Sequence, residues 1–390
     1  MPKPRITVAA LAAGIFTIVT VEILPIGLLP SIAADFGVGE GTAGLAMTMP
    51  GLVAAVAAPV VTVATRRFER RAMLVALLSL LGVACGVAVV ATSFWALLGS
   101  RLLVGVTIGG FWSIGTGLAP RLVRDGGRAT AVIFAGVPAG SVLGVPLATM
   151  LGEAAGWRTS VALLGALSGA VAVVIALASP RLPAETPTSA AVLVRALRRS
   201  PVPLAVTVLV VLAHFGAYTY VTPLLKAEGA AAGPLLLVYG AAGIAGNFAA
   251  GALGHRPGVF AGAAASIGLA ALALPHVPPV AALVVWGFAY GAVPACSQHL
   301  FAARAPGEAA TVLFTASFQA TMGAAAALGG LLVDAAGPAA VMTAAAPLAL
   351  AAAMLAGRAG LGPRGQSGGV PLVRTVKREP PVKAVKATGG

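Results

Sequence analysis

Charge is what this sequence has least of. Only 9% of its 390 residues are Asp, Glu, Lys or Arg, against about 25% in a typical soluble domain. A water-facing globular fold needs far more polar surface, so that class is excluded. Cysteine is almost missing as well. Cys85 and Cys296 stand far apart in apolar runs, which excludes a disulfide framework and any C-x-x-C metal site. The four histidines, His214, His255, His276 and His299, have no paired metal-ligand spacing. No G-x-x-x-x-G-K-[ST] loop is present to cradle nucleotide phosphates, and no G-x-S-x-G nucleophile motif occurs. The chain is therefore not read as an enzyme, and neither metal nor organic cofactor is expected. Acidic residues number 11 against 25 basic ones, a formal net charge of +14. No nucleic-acid-binding module accompanies that charge, so a nucleic-acid partner is not expected. Basic loops on the cytoplasmic side of a membrane protein account for it.

What is present is apolar sequence: 59% hydrophobic residues and a mean hydropathy of +0.98. The apolar runs are about 20 residues long and continuous, as transmembrane helices require, not alternating as barrel strands would be. Twelve spans are expected, near 6–29, 41–64, 73–91, 95–119, 131–152, 159–179, 203–225, 234–254, 259–275, 280–302, 310–333 and 338–357. The first run is too long for a signal peptide and contains a glutamate, so it is kept as a helix. Residues 180–202 carry prolines and threonines, then Arg195, Arg198 and Arg199 at helical spacing. They read as a cytoplasmic linker with a surface-lying amphipathic helix. Residues 358–390 read as a basic disordered tail.

Basic residues test this topology. Twenty-two of the 25 fall at the termini and in even-numbered connections. Arg158 and Lys226 fall in odd-numbered ones, and Arg101 inside span 4. That bias places both termini in the cytoplasm. The chain also repeats: GRATAVIF at 127–134 returns as GEAATVLF at 307–314, and EAAG at 153–156 as DAAG at 334–337. The expected fold is thus an all-α membrane protein of twelve transmembrane helices in two six-helix bundles, 1–179 and 203–357. Repeated halves of this kind are typical of secondary transporters.

Polar residues inside the membrane are costly and therefore informative. Glu22, in TVEILPIGLLPSIAADFGV, lies 16 residues beyond Ile6, about 24 Å along a helix. A carboxylate removed from water favours its protonated form, so Glu22 is the candidate proton carrier, with a wet outer vestibule as the plainer alternative. Pro25 is expected to loosen the helix, and Pro30 to mark its exit. Arg101 must face protein or water. It either acts at the proton site or serves as a cytoplasmic anchor near the inner end of span 4. His214 and Tyr218 share a face at i, i+4, while Tyr220 points elsewhere. These line a cavity or pack near the outer aromatic belt. Asn247, the chain's one asparagine, and Gln298, His299 and Gln319 are either ligand contacts or interhelical hydrogen bonds.

Several stretches carry a family resemblance over all twelve spans. EILPIGLLPSIAADFGV, RLLVGVTIGGFW, GVPAGSVLGVPLATMLGEAAGWR, YTYVTPLL and WGFAYGAVPACSQ resemble the major facilitator superfamily, and within it the drug:proton antiporter group of arabinose-efflux and chloramphenicol-efflux permeases. Arg101 sits at the basic position of the helix 4 motif. Gly136, Gly140, Gly144 and Pro146 match the helix 5 motif. The loop between helices 2 and 3 departs from the family pattern. In TVATRRFERR, Arg66 replaces the usual aspartate and Glu69 a glycine, while Arg67, Arg70 and Arg71 keep the basic positions. The resemblance implies a proton-coupled exporter of drugs, antibiotics or sugars in the bacterial cytoplasmic (inner) membrane, acting as a monomer. Its partners would be protons, a small-molecule substrate and the lipid bilayer, and its only energy source the proton gradient. The implied cavity residues are Trp112, His214, Tyr218, Asn247, Gln298 and Gln319. An uptake symporter or facilitator, or a membrane sensor that transports nothing, are the alternatives.

Overall fold

The computed structural model describes residues 4–65, 68–115, 129, 132–133, 135–181, 190–253, 256–305 and 307–360. Arg67, most of the first repeat segment, linker residues 182–189 and nearly all of the basic tail lie outside the described residues.

Every regular element among the described residues is helical. We number them α1 (Pro4–Phe36), α2 (Glu40–Ala43, then Leu45–Ala64), α3 (Arg70–Val89), α4 (Phe94–Gly115), α5 (Gly136–Ala139, Gly140–Gly144 and Val145–Ala155), α6 (Trp157–Ala178), α7 (Pro201–Tyr218, then Val221–Ala227), α8 (Ala232–Leu253), α9 (Pro257–Ala273), α10 (Pro279–Ala302), α11 (Gly307–Ala336) and α12 (Pro338–Gly360). Ten of these runs are long and apolar enough to cross a membrane; two shorter apolar helices, Gly140–Ala155 and Pro257–Ala273, hold the places of α5 and α9. The linker helix, Ala190–Arg199, lays Ala196 and Leu193 against Phe301, Ala305, Ala309 and Ala310.

Packing repeats with a shift of six helices. α1 packs on α5 and α6, as α7 packs on α11 and α12. α3 packs on α4 and α6, as α9 packs on α10 and α12; α2 pairs with α4, as α8 does with α10. Across the middle, α2 lies along α11 and α8 along α5, again a matched pair. One large apolar core draws on residues 8–175. Another draws on 206–356, with Ile26, Leu29, Ala33, Ala43 and Met47 added from α1 and α2.

α1 corrects one expectation. Pro30 does not end it; the helix runs through Pro25 and Pro30 to Phe36. The exit is Gly37, with φ 62°. The Gly37 N–H donates to Ala34 O at 3.4 Å and the Val38 N–H to Ala33 O at 3.0 Å, the two bonds of a Schellman motif. α7 ends the same way at Gly229. Proline inside a membrane helix is tolerated when neighbouring side chains satisfy the carbonyls it leaves without a donor.

Two arginines staple α3 to α6 at opposite ends. Arg71, starting α3, donates to Ser179 O at 3.2 Å and to Ala176 O at the end of α6. Arg158, starting α6, donates to Val89 O and Ala91 O at the end of α3, at 3.1 and 2.9 Å, and pairs with Asp35. Cations at helix C-termini satisfy orphan carbonyls and complement the helix dipole. Arg70 and Glu69 are different: Arg70 Nη1 and Glu69 Oε1 are buried with no hydrogen-bond partner among the described residues.

Candidate functional site

α1 presents Glu22 at the seam between the two repeated halves. Its side chain is 5% exposed. Gln319 of α11, also 5% exposed, donates its Nε2–H to Glu22 Oε1 at 2.8 Å. The two residues are 297 positions apart in the chain.

Arg101 lies at the same level. It stands two turns into α4, beside Val21 and Glu22, and not at the inner end of the span. Because span 4 runs back from the end where α1 finishes, residue 101 belongs near that end. The guanidinium is 6% exposed, and its donors go to backbone. Nε donates to Ala46 O at 2.8 Å, Nη1 to Val21 O at 3.0 Å and Nη2 to Glu22 O at 3.0 Å. Two of these acceptors have a common origin. Val21 O is the carbonyl that residue 25 would bond in a regular helix, and Ala46 O the one that residue 50 would bond. Both positions are proline, which has no N–H to give. Arg101 supplies the donors that two prolines remove, and so ties α1, α2 and α4 together at the height of Glu22.

Beside Arg101 is a cavity of about 30 Å³, lined by Val21, Pro25, Cys85, Ser100, Arg101 and Trp157 among others. That is room for one or two waters. It lies within the first half and not between the halves.

On the other side of Glu22 stands an aromatic wall. Tyr290 of α10 is near enough to Glu22 to feel its carboxylate charge. Its ring stacks on His214 of α7 at 3.6 Å between centroids and 7° between planes. Tyr218 stacks on His214 as well, at 5.1 Å. Trp286 Nε1–H donates to His214 Nδ1 at 2.9 Å. An indole can only donate, so Nδ1 carries no proton and the remaining ring proton sits on Nε2. That nitrogen faces the Tyr239 hydroxyl at 3.5 Å. Phe215 meets Tyr290 edge-on at 5.9 Å and Phe318 at 5.7 Å.

The structure thus brings Glu22, Arg101, Gln319, His214 and Tyr218 into one connected cluster. Tyr220 does point elsewhere: its hydroxyl donates to Ala326 O at 2.7 Å and reaches Gly41 O at 3.4 Å. Three other candidates are not joined to the cluster. Trp112 is 11 residues beyond Arg101 on α4, about 16 Å along the axis, and packs on the first-half core. Asn247 is exposed on α8, and Gln298 is half-buried on α10, eight residues past Tyr290. Trp286, Tyr239 and Tyr290 were not singled out from the sequence. The available signal was the i, i+4 pair of Trp286 and Tyr290 in span 10, the same spacing as His214 and Tyr218.

The glycines of α5 face α1. A Cβ at Gly140 would lie 2.8 Å from Phe16 O, and one at Gly136 3.1 Å from Ile15 Cβ. Only glycine permits this approach. Thr20 Oγ1–H reaches across it to Gly140 O at 3.3 Å. Gly140–Gly144 forms a π turn, directly before the missing donor of Pro146.

Apolar helices repeated six on six, around a carboxylate buried at their seam, define a membrane transporter and not an enzyme. The chain belongs to the Major Facilitator Superfamily, whose family model matches residues 11–313. Among solved structures it is similar to the human organic anion transporter MFSD10 (TETRAN), with TM-score 0.67 and 19% identity, covering 91% of this chain and 100% of that one. It is also similar to a bacterial homologue of the human lysosomal transporter Spinster, in an inward-facing, unoccupied conformation. That match has TM-score 0.64 and 15% identity, and covers 92% and 95% of the two chains. At these identities the likeness is one of fold.

Proposed function

We propose that this secondary transporter is a proton-coupled exporter of small organic molecules, working by alternating access between its two halves. The observation that carries the reading is Glu22: a carboxylate, buried at the seam, bonded to a residue of the opposite half. A buried ionisable group in a membrane protein marks an ion or substrate path. In this reading Glu22 carries the proton. Arg101 fixes the bent segments of α1 and α2 around it and sets the local field. The wall of Tyr290, Phe215 and Phe318, backed by His214 and Tyr218, receives the apolar part of the substrate. Trp112, Asn247 and Gln298 line the path farther from the proton site. The glycine face of α5 lets it slide on α1 as the halves rock. The bacterial cytoplasmic membrane with both termini inside remains the preferred setting, which makes the Asp334 end the outer one.

The test is a susceptibility screen in a pump-deficient bacterial host expressing the protein or its Glu22→Gln variant. Export predicts raised tolerance to at least one compound with the native chain and none with the variant at equal membrane abundance. Equal tolerance with the variant would overturn the role of Glu22. Accumulation of the same compound under an inward proton gradient would support uptake instead.

A further inference from the structure

Gln319 is half-used. Its Nε2–H bonds Glu22, but its Oε1 is buried with no partner among the described residues. Buried acceptors left without a donor are costly. An ionised carboxylate only accepts, so facing an amide it makes one bond. A protonated carboxyl accepts from the amide N–H and donates its own O–H to the amide oxygen, making two. The orphaned Oε1 is therefore placed to receive the one hydrogen that appears when Glu22 takes up a proton.

Gln319 also stands at the inner start of a backbone seam between α11 and α2. A Cβ at Gly51 would lie 2.7 Å from Gln319 O, and one at Gly323 2.7 Å from Thr48 O. Farther along, Tyr220 bonds Ala326 O, and the Gly41 N–H donates to Asp334 Oδ1 at 3.0 Å. Along residues 319–334, close glycine contacts and the Gly41–Asp334 bond hold α11 of the second half against α2 of the first.

We infer that Gln319 reads the protonation of Glu22 and passes it to this seam: a protonated Glu22 binds both polar atoms of the carboxamide and holds the Asp334 end closed, whereas an ionised Glu22 keeps one bond and lets it open. The inference rests on Glu22 being the proton site. Gln319 is then a positioning residue that converts a proton into closure.

Other charged and titratable groups surround the pair. Arg101 faces Glu22 from α4 and Tyr290 faces it from α10, with His214 behind Tyr290 and Cys85 of α3 beside Arg101. The Asp334 end has its own layer. Glu40 feels the charges of Asp334 and Lys226, and Lys226 Nζ lies 3.5 Å from Glu153 Oε1. That layer does not involve Gln319, so the test must subtract its contribution.

The experiment uses the full chain in lipid nanodiscs, with Cys85→Ala and Cys296→Ala and spin labels on Ala34→Cys and Ala336→Cys, both exposed at the Asp334 end. Electron–electron double resonance reports the closed-to-open ratio across a pH series. Acidification is expected to raise that ratio about tenfold, near the upper end of what one buried hydrogen bond sustains. Glu22→Gln carries a permanent second donor and is expected to stay closed at every pH. Gln319→Met, similar in shape but apolar, is expected to lose the response and favour the open state. Gln319→Asn, one methylene short, should do the same and guards against misfolding of the first variant. If both Gln319 variants keep the native response while Glu22→Gln loses it, Gln319 is not the reader and Glu22 stands. If Glu22→Gln itself keeps the response, the proton site is elsewhere and the inference falls with it.

Discussion

Arg101→Lys isolates what the guanidinium does for the backbone. The positive charge stays, so the cost of burying a charge is roughly unchanged. The forked donors do not stay: an ammonium is a compact point donor and cannot bridge three carbonyls on two helices. Arg101 now serves Val21 O, Glu22 O and Ala46 O. Lysine can keep one of the two carbonyls that proline leaves without a donor, and the other is orphaned. A buried acceptor without a partner costs about 1–3 kcal/mol, and that is the expected loss. Thermal unfolding in detergent can be followed by a thiol-reactive dye, because Cys85 and Cys296 are both buried. Adding Pro25→Ala returns an N–H to α1 for Val21 O. It should therefore recover a large part of the loss in the Arg101→Lys background, and should gain nothing in the native background. If Pro25→Ala shifts both backgrounds equally, to within about 0.5 kcal/mol, the two residues are not coupled and the reasoning is wrong.

Three further outcomes are expected. Gly323→Leu places a side chain where a Cβ would already lie 2.7 Å from Thr48 O. Spin labels at the Asp334 end should then report an open seam at every pH. Trp286→Phe removes the indole donor to His214 Nδ1. The ring loses its fixed tautomer, so nitrogen-15 spectra of the imidazole should show a mixture, and stability should fall by about 1 kcal/mol. Arg71→Ala and Arg158→Ala each uncap one helix end. Each should lower the unfolding midpoint, with effects that add, since the sites lie at opposite ends of α3 and α6.

The helices were legible because a bilayer leaves so few solutions: an apolar run of membrane length must be a helix. Each of the twelve expected spans starts or ends within a few residues of a described helix for that reason. The end of α1 was misplaced because proline punctuates soluble helices. What α1 needed was a donor for Val21 O, and that donor is 80 residues away on α4. The depth of Arg101 was misjudged although the alternating topology contained it, since an even-numbered span begins at the end where α1 finishes. Glu22 was visible as an isolated charge in an apolar run. Its partner was not: Gln319 was one of several mid-span amides, and nothing local ties it to a residue 297 positions back. The aromatic wall was half-legible. His214 and Tyr218 stand out by spacing, while Trp286 and Tyr290 have the same spacing and acquire meaning only where they converge on one imidazole.

A coupling proton bound and released by Glu22 can be observed on the carboxyl group itself. Infrared difference spectroscopy of the reconstituted protein, acid minus alkaline, observes a carboxyl group directly and needs no knowledge of the substrate. A carbonyl band of a protonated, hydrogen-bonded carboxyl is expected to appear on acidification, to be missing in Glu22→Gln, and to shift in Gln319→Met as its amide partner is lost. Identical difference spectra for the native chain and Glu22→Gln would contradict Glu22 as the proton carrier.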